Sequence, residues 1–68
     1  MVKANEISLN PITKTAFVSL FADTKGEVTS SMDIKGMPND YTVEFGSSVI
    51  TAAGELAFMK SDGTWNWV

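Results

Sequence analysis

Residues 46–68, GSSVITAAGELAFMKSDGTWNWV, decide the fold of this chain and hold both of its tryptophans. Near the end of the stretch, Asp62 and Gly63 separate two apolar runs. An Asp-Gly pair in that position is among the strongest hairpin signals, because a type I′ turn needs positive φ at both central residues. The sequence therefore predicts a C-terminal hairpin with strands over residues 56–61 and 64–68.

The length of the loop decides which side chains share a face of this hairpin. With a two-residue loop, Lys60 faces Trp65 and Phe58 faces Trp67, which gathers the large apolar side chains on one face. A three-residue loop would place Met59 opposite Trp65. It would also move the large apolar side chains of one strand to the opposite face, since strand side chains alternate. We predict the two-residue loop, and Met59 directly opposite Trp65 would contradict it.

Further short strands are predicted upstream of the hairpin. One begins at residues 49–51, and another is indicated where Tyr41, Val43 and Phe45 alternate with polar residues. Residues 13–22 are rich in β-branched and aromatic side chains, which favour a strand. Their apolar spacing also permits the alternative, a short helix packed on a sheet.

The first half of the chain is interpreted as an arm, a hairpin and a surface segment. Residues 1–12 are predicted to be a flexible N-terminal arm or an edge strand. Residues 13–68 are predicted to form a single small β domain. Residues 27–29 are predicted to pair back on the preceding strand, which makes residues 14–30 a hairpin, and residues 30–36 are predicted to be an edge strand or a surface loop. The fold class is all-β, a small antiparallel meander, barrel or sandwich of five to six short strands.

The composition bounds the size and the class of the protein. A chain of 68 residues that is 44% hydrophobic and 19% charged forms one globular domain at most. It has no Cys and no His, so a disulfide and a thiolate zinc site are excluded and the commonest metal ligand is missing. A core from so short a chain usually leaves only about 3–5 kcal/mol of net stability. Oligomerisation, or docking on a larger partner, is the remaining way to bury more apolar surface.

The net charge argues against a nucleic-acid partner, and the short apolar runs argue against a membrane partner. Eight acidic residues against five lysines, with no arginine, give a net charge of −3. Binding to a nucleic-acid backbone needs clustered Lys or Arg, so no nucleic-acid partner is expected. The apolar runs are far below the roughly 20 residues that span a bilayer, so no membrane partner is expected. We interpret the chain as unprocessed and made in the cytoplasm.

No motif in the chain carries catalytic or metal chemistry. The acid–base groups are Asp, Glu, Lys and Tyr41, and no pair of them forms a recognisable motif. Asp23, Asp33, Asp40 and Asp62 are spread between turns, where Asp commonly bonds its own backbone. The sequence therefore predicts a protein that is not an enzyme, with no catalytic residue, no cofactor and no metal site.

Large aromatic side chains are the candidate functional residues. Large aromatics are enriched in cores and subunit interfaces, and we predict an interface formed by Phe17, Phe58, Trp65 and Trp67. The alternative for Trp65 and Trp67 is a platform on which a sugar or a base stacks. We favour the interface because a chain this short lacks core.

A family resemblance adds a biological setting. The run YTVEFGSSVITA at residues 41–52, with GELAF at 54–58 and SDGTW at 61–65, resembles the C-terminal half of small proteins encoded in the structural gene modules of tailed bacteriophages and prophages. The resemblance covers about residues 36–68 and is a pattern of turns and apolar positions. It implies an acidic, β-rich particle component such as a head decoration, head-fibre or connector-associated subunit, and it carries over no active-site residues.

These observations together predict a non-enzymatic bacteriophage virion accessory protein. It is expected to associate with itself as a trimer or dimer and to dock on a larger capsid or tail protein. One alternative is a soluble acidic phage inhibitor or adaptor that binds a host protein. Another is a carbohydrate-binding module that uses Trp65 and Trp67.

Overall fold

The computed structural model describes residues 1–29 and 32–68 and shows six strands and one short 3-10 helix in that part of the chain. The elements are β1 Val2–Asn10, β2 Thr15–Ala22, the 3-10 helix Lys25–Glu27, β3 Thr42–Val43, β4 Ser48–Thr51, β5 Leu56–Met59 and β6 Trp65–Trp67. All six strands belong to one sheet. The predicted all-β class is confirmed.

β2 lies inside the sheet and supplies much of the core. Its side chains alternate between the two sides of the sheet, and the four on one side, Ala16, Val18, Leu20 and Ala22, are fully or almost fully buried. The β-branched and aromatic residues of this segment fit a pleated, half-buried surface. The strand predicted within residues 13–22 is therefore confirmed, and its helical alternative is wrong.

The sheet is mixed and open. The strand order is β1-β2-β4-β5-β6, and β3 pairs with the first residues of β2. β2 runs parallel to both β3 and β4, whereas the other pairs are antiparallel. This differs from the wholly antiparallel arrangement that the sequence predicts. Parallel neighbours need a crossover of a dozen or more residues, and residues 23–41, which link β2 to β3, provide it.

The predicted hairpin over residues 14–30 does not form in the described part of the chain. Lys25–Glu27 is a 3-10 helix, and the Thr24 N–H and hydroxyl donate to the Glu27 carboxylate at 3.0 and 3.2 Å. These bonds turn the chain away from β2, whose antiparallel partner is β1. Ser30 and Ser31, which the sequence assigns to the end of the hairpin and to a surface segment, lie outside the described residues.

β1 forms one edge of the sheet. It pairs with β2 along its length, with a bulge between Ala4 and Glu6. The Met1 ammonium group donates to the Asp23 carboxylate at 2.9 Å and to the Glu27 carboxylate. These contacts attach the start of β1 to the beginning of the crossover.

The crossover covers one side of the sheet, which we call the inner face. Ile34 of the crossover is buried there against Val18, Leu20, Val49 and Ala57. Further crossover side chains are half-buried against the same cluster, namely Val28, Met32, Met37 and Tyr41. The core therefore lies between the inner face and the crossover.

The C-terminal hairpin forms, but its predicted register is wrong. Met59 pairs with Trp65, which is the pairing that contradicts a two-residue loop. The Gly63 N–H donates to the Lys60 carbonyl at 3.1 Å, and the loop has three residues. Gly63 has a φ of 85°, while Asp62 has no positive φ. A tight turn closed by one left-handed glycine is a common three-residue hairpin loop, so Asp-Gly fits it as well as it fits type I′.

This register divides the large side chains of the hairpin between the two sides of the sheet. Trp65 and Trp67 pair with Met59 and Ala57, which are buried, so both tryptophans lie on the inner face. Phe58 pairs with Asn66 and points to the opposite side. The sequence prediction that Phe58 and the tryptophans share one face is therefore wrong.

Candidate functional site

The side of the sheet opposite the crossover is the candidate site, and we call it the outer face. It consists of the outward positions of the three strands β2, β4 and β5. The eight residues at these positions are Thr15, Phe17, Ser19, Phe21, Ser48, Ile50, Leu56 and Phe58. None of them is charged.

Large apolar side chains on the outer face are open to solvent. Phe17 is 48% exposed and Phe58 is 43% exposed, and Ile50 is exposed to a similar extent. Ile50 is flanked in the sheet by Phe21 of β2 and Leu56 of β5, so these three form one apolar row. An exposed apolar patch of this kind marks a surface for binding or association more often than a solvated face.

Charged residues are absent from the outward positions of β2, β4 and β5. The chain has thirteen charged residues, five lysines and eight acidic ones. Lys3 and Glu6 are the ones that lie in a strand, and both are in the edge strand β1. They pair with Phe21 and Ser19, so they lie on the same side of the sheet and flank the outer face at its β1 edge. A partner that covers the centre of the outer face therefore does not have to bury a charge, which would be costly.

A bulge at residues 44–47 interrupts the strand that runs beside β2. β3 pairs with the start of β2 and β4 with its end, and the bulge lies between them. The Glu44 N–H donates to the Ala16 carbonyl at 2.8 Å, and the buried Ser47 hydroxyl accepts the Val18 N–H at 3.0 Å. Ser47 thus supplies the acceptor that a regular strand backbone would have given to Val18.

The bulge leaves Phe45 exposed to solvent and brings Gly46 to the outer face. Phe45 is 68% exposed, and the next residue, Gly46, has a φ of 90°. A Cβ atom at Gly46 would lie 3.5 Å from Phe17 Cε2, so the Phe17 ring lies close over this glycine. Gly46, the residue that follows Phe45, therefore borders the outer face.

A shallow groove of about 300 Å³ lies beside this bulge. It is lined by Glu6, Ile7, Ser8, Phe17, Ser19 and Ser48. Its lining thus combines three small serine side chains with the larger Phe17 ring. The groove is a depression in the outer face into which a partner's side chain can fit.

The four residues predicted as an interface do not form one surface. Phe17 and Phe58 are on the outer face, while Trp65 and Trp67 are half-buried on the inner face. The Lys25 ammonium lies 4.9 Å from the centre of the Trp67 ring, a cation–π contact. Trp65 Nε1 is buried with no acceptor among the described residues, and Trp65 lines a cavity of about 420 Å³ beneath the crossover. The tryptophans thus pack against the core.

Sequence reasoning missed Phe21, Ile50 and Leu56 as members of the site. These residues could have been recognised because the outward positions of three strands carry no charge. That pattern can be seen only when it is known which residues of each strand face outward. Phe45 was assigned to a regular strand with Tyr41 and is instead on the bulge.

Among residues 1–29 and 32–68, no cluster of three or more Asp, Glu, His or Cys side chains is arranged to hold a metal ion. No helix in the described part of the chain is long and apolar enough to cross a membrane.

One ion pair joins the β1–β2 turn to the crossover, away from the outer face. Lys14 Nζ lies 2.8 Å from Asp40 Oδ2, and Lys14 has a positive φ of 54°. The hydrogen bond from the Lys14 ammonium lowers the pKa of the Asp40 carboxyl, and the same bond raises the pKa of Lys14. The two charges therefore favour each other's ionised form in the folded protein.

The effect of Asp40→Asn on the midpoint of thermal unfolding is expected to depend on pH. The lowered pKa of Asp40 gives stability that is present above its unfolded value, about 3.9, and is lost as the pH falls through the folded value. The raised pKa of Lys14 gives stability that is present below about 10.4 and is lost above it. Asp40→Asn should therefore lower the midpoint between about pH 5 and 9 and make no difference near pH 2.

Circular dichroism melts of wild type and Asp40→Asn across pH, at low salt, measure this difference. Lys14→Gln is the complementary variant and should show the same window, and 1 M salt should shrink the effect in both because the pair is exposed. An equal difference between wild type and Asp40→Asn at pH 2 and pH 7 would show that the ion pair is not its cause.

In comparisons with models of protein families, with curated proteins and with solved structures, the chain matches none. The fold and the site define it as a small all-β protein whose sheet is covered on one side and open and apolar on the other.

Proposed function

We propose that the protein is a non-enzymatic structural accessory protein that associates through its outer face. The observation that carries the proposal is the uncharged outer face, with its exposed Phe17, Ile50 and Phe58 side chains. Burial of apolar surface is worth roughly 25 cal/mol per Å², so covering these side chains favours association. The work of the protein is then to bind other protein surfaces and not to transform a substrate.

The dimensions of the molecule are sufficient for a specific interface. Its principal extents are 35, 22 and 18 Å. The broad side measured by the two larger extents is comparable with the roughly 800 Å² per partner that a standard protein interface buries. The apolar surface of the outer face can therefore form the centre of such an interface, with the charges at its rim.

The edges of the sheet are less suited to association than the face. β1 carries a bulge and Lys3, both of which discourage pairing with another strand, and Pro11 follows it directly. At the opposite edge, β6 has only three residues. Association through the face is therefore favoured over extension of the sheet.

The setting we propose is a bacteriophage particle. This part of the proposal rests on the resemblance of residues 36–68 to small proteins of phage structural gene modules, and these residues contain β3, β4, β5 and β6. The protein would associate with itself and dock on a larger capsid or tail protein of the virion. A mass-spectrometric inventory of purified particles, with copy numbers, tests this setting, and absence of the protein from the particles would contradict it.

Sedimentation equilibrium of Ile50→Lys tests association through the outer face. Wild type is expected to self-associate at tens of micromolar, while Ile50→Lys should be monomeric because it places a charge at the centre of the apolar row. Ile12→Lys is the matched control, since Ile12 is exposed in the β1–β2 turn, away from the outer face. It makes the same change in charge and should associate like wild type.

Circular dichroism spectra of the three proteins should be alike, which separates lost association from lost folding. A wild type that stays monomeric at every concentration would contradict self-association. Equal loss of association in Ile50→Lys and Ile12→Lys would show that net charge, and not the outer face, is responsible.

A further inference from the structure

We propose that the cavity beneath the crossover is a binding site for a small apolar cation of the quaternary ammonium class. Its volume of about 420 Å³ is that of a small-molecule site, since such sites usually measure roughly 300–1,000 Å³. The cavity lies on the inner face, because it is bordered by Ile34 of the crossover and by Met59 and Trp65 of the sheet. The proposal therefore goes beyond association through the outer face and is tested separately from it.

The interior of the cavity is apolar. The buried side chains of its lining are Ile34 and Met59, and the half-buried ones are Met32, Met37, Tyr41, Val43 and Trp65. Methionine is flexible and polarizable, so three methionines in one lining can adjust to the shape of a ligand. The lining thus suits a ligand whose body is apolar.

Two aromatic side chains, Tyr41 and Trp65, line the same cavity. Trp65 Nε1 is buried, so Trp65 presents carbon atoms and not its N–H to the cavity. The face of an aromatic ring is electron-rich and attracts cations, and tryptophan and tyrosine do so more strongly than phenylalanine. An apolar cation therefore gains an attraction here that a neutral molecule of the same shape does not.

The charge of the lining also favours a cation. Asp33 is the one charged side chain among the described residues that line the cavity. It is exposed, so its carboxylate lies where the cavity meets solvent. A cation in the cavity is attracted by this carboxylate, whereas an anion is repelled.

The shortage of hydrogen-bond acceptors selects the kind of cation. A primary ammonium group carries three N–H donors and is strongly hydrated. Among the buried and half-buried side chains of the lining, the Tyr41 hydroxyl is the one that has an oxygen. A quaternary ammonium has no N–H to satisfy, and its methyl groups can pack against aromatic rings and thioethers. Such ligands are typically recognised by aromatic side chains.

A matched pair of small molecules tests the site on the wild-type protein. Choline is the cationic probe, and neohexyl alcohol, in which a carbon atom replaces the choline nitrogen, is the neutral control of the same shape. Tryptophan fluorescence at constant ionic strength measures binding, because Trp65 lines the cavity. Choline is expected to give a saturable change and to bind about 10-fold more tightly than neohexyl alcohol. Trp67→Phe, which leaves Trp65 as the one tryptophan, should keep this change.

Three variants assign the preference to the cavity. Asp33→Asn should weaken choline binding by about threefold and leave neohexyl alcohol unaffected, because it removes the carboxylate at an exposed position. Glu6→Gln removes one negative charge on the opposite side of the sheet and should bind choline like wild type. Tyr41→Leu should weaken choline more than neohexyl alcohol, since it removes a ring and keeps an apolar side chain. Circular dichroism spectra check that the variants are folded.

The possible outcomes decide the proposal. A wild type that shows no saturable change with choline overturns the site. Equal affinities for choline and neohexyl alcohol overturn the cationic class of ligand. Equal weakening in Asp33→Asn and Glu6→Gln would show that net charge is responsible and would overturn the assignment to this cavity. Each of these results leaves association through the outer face standing.

Discussion

Replacing Leu20 by Ala is expected to lower the free energy of unfolding by about 2–5 kcal/mol, the range for large-to-small changes at fully buried positions. Leu20 is 1% exposed and is among the largest fully buried side chains of the protein. It lies in the middle of the sheet, between Ala4 of β1 and Val49 of β4, and beneath the crossover. Its small neighbours cannot fill the space that the substitution leaves.

The consequence for so small a domain is severe. A core from a chain of this length usually leaves about 3–5 kcal/mol of net stability, so the substitution removes most of it. Urea unfolding followed by circular dichroism measures the loss. Leu9→Ala is the matched control, because the same side chain at position 9 is 44% exposed on the edge strand and should lose far less. Equal losses at the two positions would contradict a core centred on β2.

Some strands could be predicted because their signals are local. The β-branched and aromatic residues of β2 identify a strand, and Asp62 with Gly63 identifies the last hairpin. The register of that hairpin is harder, because Gly63 can close a loop of two or three residues. A difference of one residue reverses the faces of a strand, which is why the sequence prediction set Phe58 opposite Trp67.

The neighbours of β2 could not be predicted because its pairing is non-local. The alternation of a strand's residues shows which side chains share a face but not which strand lies beside it. The chain continues from β2 into the 3-10 helix at Lys25–Glu27. After the crossover it returns to the sheet, where β4 runs parallel to β2. The resulting outer face joins residues from β2, β4 and β5, so only part of it, Phe17 and Phe58, was identified from the sequence.

Ser47 is the clearest case of a role that the sequence conceals. In the run Gly46-Ser47-Ser48 it is indistinguishable from an ordinary turn residue, yet it is fully buried and bonds a residue 29 positions away. Its hydroxyl oxygen accepts the Val18 N–H at the place where the bulge takes the backbone out of pairing distance. Both groups are buried, so no water replaces this bond when it is lost.

Ser47→Ala is therefore expected to cost about 1–3 kcal/mol, the penalty for leaving a buried backbone donor without a partner. The loss should exceed that of Ser61→Ala, which makes the same chemical change in the exposed loop of the last hairpin. Native-state hydrogen exchange gives a local measure, since the Val18 amide should exchange faster in Ser47→Ala by more than the global loss of stability accounts for. If the Val18 amide stays as protected as in wild type, the hydroxyl is not its acceptor. In that case the bulge is held by the backbone bonds of Glu44 and Gly46 alone.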